Sequence, residues 1–97
     1  MRVIINRTKE YLAFRKQYLK EHPANHQGYW TCYYGRQWTT GIELDHYLAK
    51  SSHLDLYIDR DNIRISCVFH NRDKGSRSGA QYIEYLKNNP QKIKCSP

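Results

Sequence analysis

The sequence predicts a small α+β domain. Runs with helical spacing lie near both ends, at about residues 9–20 and 80–88, and β-prone aromatic and β-branched runs lie between them, at residues 29–34 and 41–45. The chain has 97 residues, enough for one domain with a modest core, and neither a linker nor an internal repeat divides it. Residues 1–97 are therefore read as a single domain. Nine Tyr, two Trp and two Phe supply much of the packing area in a chain that is 39% hydrophobic, a composition of globular proteins.

Thr8 is placed to cap the first helix, and Tyr11, Leu12, Phe14, Tyr18 and Leu19 follow as an apolar stripe read as core. Arg15, Lys16 and Lys20 take its other faces and read as solvated. Pro23, Asn25 and Gly28 then mark a surface loop that carries His22 and His26, both read as solvated. The runs 29–34 and 41–45 flank a turn led by Gly35 and read as the two strands of a hairpin, the second delivering Asp45 and His46 at its end. Over residues 47–61 no single period holds. Leu54, Leu56 and Ile58 alternate briefly, which fits a short strand or an extended loop. Asn62 is expected to begin a helical turn, Ile63 and Ile65 to add core contacts, and a knuckle to run from Cys67 to His70. Arg72, Lys74 and Arg77 stand among Gly and Ser, a composition that leaves cations and backbone amides open to phosphate. Tyr82, Ile83 and Leu86 share one side of the last helix, which Pro90 ends, and the basic tail 91–97 reads as loose.

Sixteen Lys and Arg against nine Asp and Glu leave a formal charge of +7, a balance that suits a polyanionic partner such as DNA. No apolar run approaches the roughly 18 residues of a membrane span, and Val3 to Ile5 is followed at once by Asn6 and Arg7, so no signal-peptide core is present. The expectation is an intracellular protein with no membrane partner. Three cysteines, Cys32, Cys67 and Cys95, are an odd number without a secretion signal, so metal binding or burial explains them better than a disulfide framework.

Chemistry concentrates between Leu44 and Lys74. Phosphodiester hydrolysis needs a base poised near neutral pH and a divalent cation held by hard oxygen ligands, and Asp45 next to His46 offers that pair. Adjacent strand residues point to opposite faces, so both serve one face only if the strand ends or bends there. The ordered set Leu44-Asp45-His46, Asn62 and His70-Asn71-Arg72-Asp73-Lys74-Gly75 resembles the HNH nuclease family over about residues 29–78. The resemblance implies a ββα-metal (His-Me finger) core with flanking helices, and a hydrolase that cuts DNA phosphodiester bonds with Mg²⁺ or another divalent ion, Mn²⁺ or Ni²⁺. It implies His46 as general base, Asn62 as the residue that orients the His46 loop, and Asp45 and Asn71 as metal ligands. His70 is the other candidate for that metal if the knuckle holds no zinc. Arg72, Lys74 and Arg77 would bind DNA phosphates.

Many HNH proteins wrap this site in a zinc ribbon of two Cys-x-x-Cys pairs. Here the first pair has become Cys32-Tyr33-Tyr34-Gly35 and the second Cys67-Val68-Phe69-His70, a degenerate ribbon. Structural zinc takes four ligands. Cys32, Cys67 and His70 supply three, leaving Cys95, His26 or water for the fourth. A filled site and an empty one whose place is taken by Tyr33, Tyr34 and Phe69 both stay open. A fainter likeness, through His46-Tyr47 to Asn62-Ile63, Cys67-x-x-His70-Asn71 and the Tyr82–Leu86 segment, is to phage recombination nucleases of the Rap type, which implies a phage or mobile-element source and a host cytoplasm. The alternative function is a non-catalytic nucleic-acid-binding module derived from the same fold.

Overall fold

The computed structural model describes residues 9–48, 58–89 and 93–95. It is an α+β arrangement in which helix α1 (Lys9–Glu21) precedes two short strands, β1 (Trp30–Thr31) and β2 (Trp38–Thr39). Strand β3 (Ile42–His46), a 3-10 turn (Arg60–Asn62), strand β4 (Ile63–Cys67), helix α2 (Val68–Lys74) and helix α3 (Gly79–Asn88) follow. No helix among the described residues is long and apolar enough to cross a membrane.

Helix α1 runs free of Gly and Pro until His22-Pro23, and it buries Tyr11 and Tyr18, seven residues or two turns apart on one face. Leu12 is 50% exposed, because one residue past Tyr11 it is rotated about 100° off that face. The core stripe is thus narrower than the sequence suggests. Arg60 makes a two-pronged pair with Glu21, at 2.8 and 2.9 Å, tying the end of α1 to the 3-10 turn. The proposed Thr8 cap, the end at Pro90 and all but Ile58 of the alternating run 54–58 lie outside the described residues.

The expected hairpin does not form. The 29–34 run gives only the two residues of β1, which pair with β2, while β3 pairs antiparallel with β4 from Ile42 opposite Cys67 to His46 opposite Ile63. The physical reason is a match of length and face. Leu44 needs an apolar neighbour along five residues, and β4 offers Ile63 and Ile65 on the same side, which two residues of β1 cannot. Asn62 ends the helical turn rather than beginning it, Ile63–Cys67 is strand, and the expected knuckle from Cys67 to His70 is instead the capped start of α2.

Period-two alternation then gives the β3–β4 ribbon two different faces. On one, Leu44 and Ile63 pack with Tyr18 and, around them, Phe14, Leu19 and Ile65, so α1 covers this side. Cys32, Tyr34, Cys67 and Tyr82 form a second core at the Ile42–Cys67 end of the ribbon, flanked by Ile83, Tyr85, Leu86 and Cys95, while the ribbon's other face carries Glu43, Asp45, Arg64 and Ser66. Helix α3 is launched by a reciprocal cap between Ser78 and Gln81 and buries Tyr82 completely. Gly79 is required there: a Cβ would stand 2.1 Å from the Tyr47 ring, and the Gly79 amide donates to the Tyr47 carbonyl at 2.7 Å. This contact fixes the chain immediately after His46.

Candidate metal centre and the strand end beside it

Two tight turns with the same internal geometry build the centre. After Cys32, the Gly35 amide points back at the Cys32 sulfur at 3.4 Å, and after Cys67 the His70 amide points back at the Cys67 sulfur at 3.3 Å. The Cys67 amide also donates to the Cys32 sulfur at 3.3 Å, which joins the two turns. Residues distant in sequence are thereby brought together. The ligand atoms of Cys32, Cys67, His70 and Cys95 all lie within 4.8 Å of one another, the first three buried and Cys95 partly so. His70 Nδ1 stands 3.0 Å from the Cys67 sulfur, 3.4 Å from Cys95 and 3.8 Å from Cys32. Ordinary Zn–S and Zn–N bonds in a tetrahedron give edges of about 3.5–3.8 Å, so the four atoms are close to a zinc cage.

The electrostatics favour the same ion. Burial opposes ionisation of Cys32, but the amides of Cys67, Gly35 and Tyr34 outweigh it and lower that thiol. Burial pushes the Cys67 and Cys95 thiols up, helped at Cys67 by the Cys32 sulfur and at Cys95 by the Cys67 and then the Cys32 sulfur. Burial also holds His70 below the usual imidazole range, against the opposing Asp73 carboxylate, so its ring is neutral and able to ligate. Cys67 and Cys95 thus resist ionisation in the bare pocket, and a dication taking all three sulfurs as thiolates would supply the balancing charge; a soft thiolate set with one imidazole selects zinc.

Cys95 is the fourth member of the group that could hold a metal, and it occupies the space beside Gly35. A Cβ on Gly35 would lie 2.7 Å from the Cys95 sulfur and 2.6 Å from the His70 ring. The chain near its end, held by the Cys95 amide on Gln37 Oε1 at 3.0 Å, fills the space that the second ribbon cysteine would occupy. His26, the other side-chain candidate, is exposed in its loop and is not in this group. We expect Cys95→Ala to keep zinc, because water can take an open fourth position, but to hold it more weakly. A competitive chelator titration reads the difference, and unchanged affinity in Cys95→Ala would show that Cys95 is not a ligand.

With His70 committed to this cage, the strand end can be assessed separately. β3 runs through His46 without a bend, so Asp45 and His46 leave it on opposite faces. His46 is buried and stacks on Tyr11 of α1, with ring centres 6.2 Å apart. Asn62 grips the backbone two residues past His46: its Oδ1 accepts from the Leu48 amide at 2.8 Å and its Nδ2 donates to the Leu48 carbonyl at 3.1 Å. A side-chain amide carries both a donor and an acceptor, so it can satisfy both backbone poles at once.

On the other face Asp45 is 3% exposed and fully engaged. Tyr34 donates its hydroxyl to Oδ2, and Lys74 Nζ sits 3.1 Å from Oδ1 while also donating to the His46 carbonyl at 3.0 Å. Burial, followed by the Asp45 acceptor, raises the Tyr34 phenol strongly, which keeps it a donor. Lys74 is only 2% exposed, so its expected role as a phosphate contact does not fit its place in the interior. Arg72 is exposed, and Arg77 lies 4.2 Å above the Tyr85 ring with one Nη on the Asp73 carbonyl. Asn71 Nδ2 donates to Glu43 Oε1 at 2.9 Å.

These donors do not fit the Mg²⁺ site that the resemblance implies. Mg²⁺ needs free oxygens in octahedral array. Both oxygens of Asp45 are taken, one by an ammonium, and no buried side-chain nitrogen or oxygen among the described residues lacks a partner. The Cys32, Cys67, His70 and Cys95 group is where at least three His, Cys, Asp or Glu side chains converge among the described residues. Sequence reasoning missed Glu43, which strand alternation places on the Asp45 face, and Tyr34, read only as packing. No family model, curated protein or solved structure matches the chain.

Proposed function

We propose that this protein is a zinc-stapled HNH-type endonuclease that hydrolyses DNA phosphodiester bonds at the end of β3, with His46 as the base that takes a proton from the attacking water. The observation that carries this reading is the metal cage. The HNH register assigned Cys32, Cys67 and His70 to ribbon positions, and these residues, up to 38 positions apart, come together with Cys95. The same register assigns Asn71, Asn62, Asp45 and His46. The unit from β3 to β4 to α2 also has the element order such a site uses.

The opposed directions of Asp45 and His46 are compatible with this chemistry. In an in-line displacement the attacking and leaving oxygens lie on opposite sides of phosphorus. Asp45, His46 and Lys74 are all buried, so a phosphate would reach the base only where the strand end opens to it. His46 would accept the water proton as the new P–O bond forms, and Asn62, by clamping Leu48, would hold the backbone that carries the base. Zinc-loaded protein incubated with supercoiled plasmid, with Mg²⁺, Mn²⁺ or Ni²⁺ and with no added divalent ion, should convert it to nicked or linear forms. Retarded migration of plasmid that remains supercoiled under every condition would instead support a second reading, a non-catalytic nucleic-acid-binding module. The closed Asp45, Lys74 and Tyr34 network favours that second reading, because it neutralises a carboxylate a nuclease would use.

Backbone binding has its own test. Arg72→Ala should make log K less steep against log salt by about one unit or less, alike for all sequences, as counterion release requires. Lys74→Met, which keeps the buried stem, should leave the slope unchanged; a flatter slope in that variant would return Lys74 to the DNA surface.

A further inference from the structure

We propose that Lys74 is the resident counter-cation of Asp45, and that divalent ions reach this carboxylate only by competing with its ammonium. The proposal deepens the reading of the strand end given above, but it is carried by three contacts independent of catalysis. Lys74 Nζ lies 3.1 Å from Asp45 Oδ1, its second bond goes to the His46 carbonyl at 3.0 Å, and Tyr34 closes the remaining carboxylate oxygen. Both charged side chains are almost fully buried, at 1% and 3% exposure.

The charges decide what can enter. Asp45 and Lys74 together are neutral. A divalent ion placed on Asp45 with the ammonium still present would put three positive charges beside one carboxylate in a pocket with little water, where like-charge repulsion is strong. Glu43 is the nearby carboxylate on the same strand face, and its Oε1 is held by the Asn71 amide. Lys74 would have to leave for the ion to bind, and it sits in the last turn of α2, where its charge also suits the helix end. The ammonium thus makes the Asp45 position selective against divalent ions while it keeps the end of β3 and the end of α2 joined through the His46 carbonyl.

The test reads metal binding and not cleavage, so absence of nuclease activity would defeat the proposed function and leave this inference standing. Zinc-loaded wild type, Lys74→Ala and the double variant Lys74→Ala/Asp45→Asn are titrated with Mn²⁺, and free ion is followed by electron paramagnetic resonance. The wild type should show no saturable binding at stoichiometric concentrations. Lys74→Ala should bind one Mn²⁺ tighter by about tenfold or more, and the double variant should lose that gain. Lys74→Met serves in place of Lys74→Ala if the smaller side chain does not fold. Unchanged Mn²⁺ affinity in a folded Lys74 variant would overturn the proposal. So would tight one-site binding by the wild type that Asp45→Asn abolishes, a result that needs no Lys74 variant.

Discussion

Cys67→Ser should leave the protein without stoichiometric zinc and without a cooperative thermal unfolding transition. Cys67 has no exposed surface, its sulfur is 3.0 Å from His70 Nδ1, and its backbone amide holds the Cys32 sulfur, so one residue touches both turns of the cage. A structural zinc site contributes about 10–16 kcal/mol in small peptides at neutral pH. That equals or exceeds the roughly 5–15 kcal/mol net stability of an ordinary domain. The second core of this chain, with Cys32, Tyr34, Cys67 and Tyr82 at its centre, is built around the cage, so the two are expected to be lost together. Chelation of zinc from the wild type should give the same unfolded state. Acid should do so as well, since thiolate and imidazole ligands must be deprotonated and protons displace the metal as pH falls. Elemental analysis with circular dichroism checks this. A Cys67→Ser protein that melts at the wild-type temperature would mean that the site is only two buried thiols and a histidine.

The substitution series around the cage is expected to be graded. Cys95 is the partly exposed ligand and comes from a segment that crosses over Gln37, so its loss opens one coordination position without dismantling either turn. Cys67 has no such substitute.

Local pattern made the first and last helices legible. Tyr11 and Tyr18 spell one helix face and Tyr82, Ile83 and Leu86 another, because such signals act within a turn or two of chain, whereas the seven residues of α2 were read as a knuckle and an open basic segment. Strand pairing was not legible, since Leu44 selects its partner by packing against Ile63 and Ile65 across an intervening stretch that sequence periodicity does not describe. Three of the four cage residues were readable from spacing within Cys32-x-x-Gly35 and Cys67-x-x-His70. Cys95 was one option among three, because nothing local records that Gly35 leaves room for a sulfur arriving from the far end of the chain. Lys74 is the instructive miss. A lysine followed by Gly-Ser reads as a solvated cation, and only the three-dimensional approach of α2 to β3 turns it inward onto Asp45.

His46→Ala carries the second large effect. A positioned general base contributes about 10²–10⁴-fold to such a reaction, so this one change should reduce cleavage by that factor or below detection. Binding should persist, because it rests on exposed cations such as Arg72 and on the overall charge of +7. The fold should persist too, since the backbone pairing of His46 with Ile63 does not depend on the side chain. The most direct measurement is therefore a side-by-side time course of plasmid conversion by wild type and His46→Ala, both zinc-loaded and matched for DNA affinity by gel retardation. The predicted result is conversion by the wild type and at least about a hundredfold less by the variant at equal binding. Equal rates in the two proteins would contradict the assignment of His46 and, with it, the nuclease reading of the strand end.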